Sequence, residues 1–75
     1  MQAVTVNPIW RRRIGRLIGN IYSAGLDEKD VYTHLGISRS TWSSYKSGLG
    51  SEKNREQVIE YAEKFVDSIL SNQFN

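Results

Sequence analysis

Arg39 stands at the head of the segment Arg39-Ser40-Thr41-Trp42-Ser43-Ser44-Tyr45-Lys46-Ser47, one side of which is all hydroxyl. At about 100° per residue, Ser40, Ser43, Ser44 and Ser47 fall on one side of a helix and Trp42 and Tyr45 on the other. Arg39 lies on the flank, in the opening turn. Serine hydrogen-bonds either kind of base-edge group and is small enough for a helix to approach closely, so it discriminates weakly. Arginine grips the O6 and N7 of guanine bidentately. This is the chemistry of reading double-stranded DNA, with Arg39 as the discriminating side chain. The bland alternative is a solvated helix surface that happens to be rich in serine.

The charge distribution fits a polyanion at one end of the chain. Residues 1–25 carry Arg11, Arg12, Arg13 and Arg16 and no acid. In residues 26–50, Lys29, Arg39 and Lys46 are balanced by Asp27, Glu28 and Asp30, and residues 51–75 are net acidic. The four early arginines cannot all share the side of Trp10, Ile14 and Leu17. Some are therefore expected on phosphates, a solvated charged face being the alternative.

Other chemistry finds little support. The chain has no cysteine, which excludes disulfides and Cys-based zinc sites, and His34 is its single histidine. No nucleophile–base pair, paired catalytic carboxylates or glycine-rich phosphate loop is evident, so no enzyme, metal site, cofactor or small-molecule ligand is expected. His34 reads as a surface residue near a helix C-terminus, and Glu60, Glu63 and Asp67 as a solvated acidic side. No apolar run approaches the roughly 20 residues a membrane helix needs. The basic-then-apolar pattern of a signal peptide is also missing. A cytoplasmic protein without a membrane partner is the expectation.

The elements that must position these residues are four helices in one all-α domain of 75 residues. Residues 1–6 read as a flexible arm. Asn7-Pro8 opens a helix expected to run to Ala24 and stop at Gly25, with Trp10, Ile14, Leu17, Ile18 and Ile21 at helical spacing. Gly15 and Gly19 lie one turn apart within it, a cost expected to be offset by close packing of a bulky neighbour. A second helix is expected over Asp27–Leu35 and a third over Arg39–Ser47, joined by a tight turn at Leu35-Gly36-Ile37-Ser38. Ser51 then caps a long fourth helix over residues 52–71. Its apolar positions are Val58, Ile59, Ala62, Phe65, Val66, Ile69 and Leu70. At 1.5 Å per residue this helix is roughly 30 Å long. The shorter helices look unable to cover all of it, which leaves Phe65, Val66, Ile69 and Leu70 as an expected dimer interface.

Gly25-Leu26 through Gly48 resembles the helix-turn-helix of the lambda-repressor-like family, which includes phage Cro proteins and many bacterial regulators. The likeness is densest at Leu35-Gly36-Ile37-Ser38-Arg39-Ser40-Thr41, with Gly48 at the expected helix end. The resemblance implies a compact helical domain that places its third helix in the DNA major groove. It further implies base contacts from Arg39, Ser40, Ser43 and Ser44, and phosphate contacts near Lys29 and Lys46. Three departures stand out. Tyr32 replaces the family's usual alanine and should hold the second and third helices apart unless Gly15 or Gly19 makes room. Glu28 replaces a glutamine that often binds phosphate, and its charge opposes DNA. One long helix follows the motif where the family usually has two short ones.

The reading that follows is a phage or bacterial transcriptional regulator, of repressor type by resemblance, that is expected to bind a palindromic operator as a homodimer. A protein-binding adaptor or antirepressor using the same fold and the fourth helix's apolar stripe is the main rival. Non-specific architectural binding is the second.

Overall fold

The computed structural model describes residues 7–73, and these form four helices and no strand. They are α1 (Pro8–Ser23), α2 (Glu28–Leu35), α3 (Arg39–Lys46) and α4 (Glu52–Gln73). The arm expected over residues 1–6 lies outside the described residues.

Side-chain caps start every helix. Asn7 Oδ1 accepts from the Ile9 N–H at 2.8 Å, with Pro8 in the first turn, where a missing N–H costs nothing. Asp27 and Asp30 form a reciprocal capping box at 3.0 and 3.1 Å. Ser38 accepts from the Thr41 N–H and Ser51 from the Asn54 N–H, each at 3.1 Å.

The first three helices stop by one device, a glycine followed by an apolar residue. Gly36, with φ of 75°, turns the chain so that the Ile37 N–H reaches back to the Tyr32 carbonyl at 3.1 Å. The same closure joins Leu26 to Ile21 at 3.1 Å and Leu49 to Ser44 at 2.9 Å. Leu26 and Ile37 pack onto the core, so the first two stops also anchor the next segment, whereas Leu49 is exposed.

The core gathers Trp10, Ile14, Leu17 and Ile21 of α1, Val31 of α2, Trp42 of α3, and Ile59, Ala62 and Val66 of α4. Both α1 and α2 lie against α4. This corrects the expectation that Phe65, Val66, Ile69 and Leu70 stand exposed. Val66 is 0% exposed, and Phe65, Ile69 and Leu70 are half-buried against the core. The cover comes partly from α2, whose terminal His34 ring stacks on Phe65 with centroids 3.8 Å apart and planes 9° from parallel.

A second correction concerns Gly15 and Gly19. Both are exposed, and a methyl group at either would meet nothing within 4 Å. They lie opposite the buried side of α1 and make no room for Tyr32. The Tyr32 side chain instead helps line a cleft of about 280 Å³ between α2 and α3.

Candidate nucleic-acid interface

On α3 the residues divide by face. Trp42 is 1% exposed, and Thr41, Ser44, Tyr45 and Lys46 are half-buried. Arg39, Ser40, Ser43 and Ser47 are exposed and occupy a contiguous arc of about 100°. Ser44 sits at the edge of that arc. The Ser40 hydroxyl lies 3.2 Å from that of the capping Ser38, so of the three expected serine contacts Ser43 is the most open.

Two tryptophans fix this helix. From α1, the Trp10 indole N–H donates to the Tyr45 carbonyl at 3.1 Å and to the Lys46 carbonyl at 3.3 Å. These oxygens belong to the last turn of α3, where carbonyls lack i+4 helical partners, and the Tyr45 oxygen also accepts from the Gly48 N–H at 3.0 Å. The guanidinium groups of Arg13 and Arg55 lie 5.5 and 5.1 Å from the Trp10 ring centre, within cation–π range.

The second tie runs through Glu28. Its Oε1 accepts from the Trp42 indole N–H at 2.8 Å and also from the Lys46 ammonium. Burial alone raises the Glu28 carboxyl, but hydrogen bonds from Lys46 and Trp42 and the Lys46 charge outweigh it. The net result lies below the ordinary glutamate value. The sequence sets Trp42 on the side of α3 opposite the serines and marks Glu28 as a negative charge, but does not join them. The available signal was that a buried indole N–H needs an acceptor.

The cations expected on phosphates separate into two groups. Arg11, Arg12, Arg16 and Lys29 are exposed, and none forms an ion pair among the described residues; the same holds for Arg39. Arg13 is engaged. Its Nε and Nη2 donate to the two Glu63 oxygens at 2.9 and 2.8 Å, and Nη1 donates to Glu56 at 2.6 Å. The Glu63 hydrogen bond is the main cause of an upward shift of the guanidinium, against an opposing burial effect. Arg13 therefore joins α1 to α4, and Lys46 joins α3 to α2. Neither presents a free charge. Among the expected interface residues, Val66 belongs to the chain's own interior.

No cluster of three His, Cys, Asp or Glu among the described residues is placed to hold a metal ion. No helix there is long and apolar enough to cross a membrane. Comparison of the chain with family models, curated proteins and solved structures finds no match.

Proposed function

We propose that this chain is a sequence-specific DNA-binding regulator of lambda-repressor-like type, with α3 in the major groove and two copies on a palindromic operator. The observation that carries this reading is the division of α3. Its aromatic residues turn inward, leaving an outer arc of short hydroxyl side chains with one unpaired arginine, Arg39, at its head. Small side chains let a helix approach the groove floor, and the arginine supplies discrimination. Arg11, Arg12, Arg16 and Lys29 are the cations free to bind phosphates.

The dimer rests on reach. An eight-residue α3 is about 12 Å long and spans about four base pairs, too few to single out an operator. Two copies on half-sites about 34 Å apart supply the rest. The half-buried edges of Phe65, Ile69 and Leu70 are the proposed contact between copies.

Selection from random duplex DNA, followed by sedimentation of the protein on the enriched sequence, tests this reading. The expected result is a palindrome bound by two copies. Unselective binding supports the architectural alternative. No binding at low salt rejects the DNA reading and leaves the protein-binding one.

A further inference from the structure

Glu28 is the first residue of α2, and its side chain reaches across to α3 with about a quarter of its surface exposed. One oxygen receives both the Trp42 indole N–H and the Lys46 ammonium. Lys46 lies seven residues, about two turns, after Arg39, so it borders the outward arc of α3 on the side facing α2. Lys29, Arg39 and Lys46 all line the cleft between the two helices, and Glu28 is the one acid lining it. Its charge cancels one of three cations.

From this geometry we propose that Glu28 is a positioning residue that keeps Lys46 off the DNA backbone, holding affinity below what the basic residues allow. This rests on the DNA-binding reading above. To reach a phosphate, Lys46 must leave Glu28, and a bare carboxylate then faces the polyanion. The pair contributes no net cation to binding. The Trp42 bond has a separate task, fixing α3 against α2, and it needs an acceptor oxygen rather than a charge. The two roles therefore come apart in Glu28→Gln, which keeps the oxygen and removes the charge.

The experiment measures affinity against salt concentration for the wild type, E28Q, K46Q and the double variant, on selected and on random duplexes. E28Q frees Lys46, so the salt slope steepens by about 0.9. The loss of affinity between about 50 and 200 mM salt then grows by about 3.5-fold. The change is the same on both duplexes, because phosphate contacts carry no sequence information. K46Q alone removes no phosphate contact, so the slope stays at the wild-type value while the bared Glu28 carboxylate lowers affinity on both duplexes alike, and K46Q in the E28Q background returns the slope to the wild-type value. An E28Q slope equal to the wild type overturns the proposal, as does a slope lowered by about one in K46Q alone. The K46Q arm decides the matter even where E28Q fails to fold. A wild type that binds no DNA at low salt rejects the DNA reading itself and this proposal with it, whereas selective wild-type binding with an unmoved E28Q slope rejects the proposal alone.

Discussion

The indole N–H of Trp10 closes the end of α3 from outside it, donating to the Tyr45 carbonyl 35 residues away at 3.1 Å. The bond makes the position of α3 depend on α1. Trp10→Phe keeps most of the buried ring but removes the donor to two carbonyls, and it weakens the platform under Arg13 and Arg55. A loss of about 1–2 kcal/mol is expected. Urea unfolding reads it as a lower midpoint with an unchanged slope. An unchanged midpoint would mean that water serves those carbonyls equally well.

Arg13 differs from its three basic neighbours in α1. Its fork is held by Glu63 and Glu56, while Arg11, Arg12 and Arg16 are unpaired among the described residues. Arg13→Ala is expected to cost about 1 kcal/mol of stability, since the pairs are partly solvated. It leaves the salt dependence of DNA binding unchanged. Alanine at Arg11, Arg12 or Arg16 leaves stability within about 0.5 kcal/mol. For those of the three that touch phosphate, the slope falls by about 1. A lowered slope in Arg13→Ala would show that the arginine leaves its carboxylates for DNA.

The four helices were legible because every boundary except the end of α4 is written locally. Asn7-Pro8, Asp27, Ser38 and Ser51 supply caps, and Gly25, Gly36 and Gly48 supply stops, so the observed ends lie within two residues of expectation. The outward arc of α3 followed from helical spacing alone. What escaped depends on partners far apart in sequence. Arg13 and Glu63 are separated by 50 residues, and Glu28 and Lys46 by 18 across a turn. No local period encodes such pairs. The cover over Phe65 was not legible because helix length does not say along which part of α4 the short α2 lies.

Two glycines predict opposite responses to alanine. Gly19 is in an exposed helix interior where a methyl group meets nothing within 4 Å. Gly19→Ala is expected to stabilise by about 0.5–1 kcal/mol through helix propensity. Gly50 has φ of 85°, and a Cβ there would lie 2.7 Å from Tyr45 Cε1. Gly50→Ala is expected to destabilise by about 1–3 kcal/mol through backbone strain and the displaced ring. Thermal unfolding of the two variants beside the wild type gives both signs.

Glu28 predicts an acid-dependent loss of stability. Its carboxyl is lowered in the folded protein, because the bonds from Lys46 and Trp42 outweigh burial. The folded state thus binds this proton less readily than the unfolded chain, where glutamate titrates at about 4.3. The resulting stabilisation is complete above that value and disappears as pH falls through the lowered one. The wild type should exceed Glu28→Gln in stability near neutral pH, and the gap should shrink as the solution is made strongly acidic. Urea unfolding of both proteins across this range measures it. A gap independent of pH would mean that the Lys46 charge adds nothing to the tie.

Arg39 separates base reading from phosphate binding through two substitutions. It is exposed at the first position of α3 and its side chain forms no ion pair or hydrogen bond among the described residues, so little stability is at stake. Arg39→Ala is expected to cost about 1–3 kcal/mol on the selected operator and to relax preference at one base pair. Arg39→Lys keeps the charge but replaces a planar fork with a point charge. If Arg39 reads guanine, the lysine variant loses preference at that base pair while the salt slope stays at the wild-type value. If Arg39 binds only phosphate, lysine preserves both affinity and preference, and alanine lowers the slope by about 1 without changing the selected sequence. Selection repeated with each variant, together with salt titration on the wild-type operator, distinguishes the two roles, and retention of the full motif by the alanine variant would remove Arg39 from the reading face.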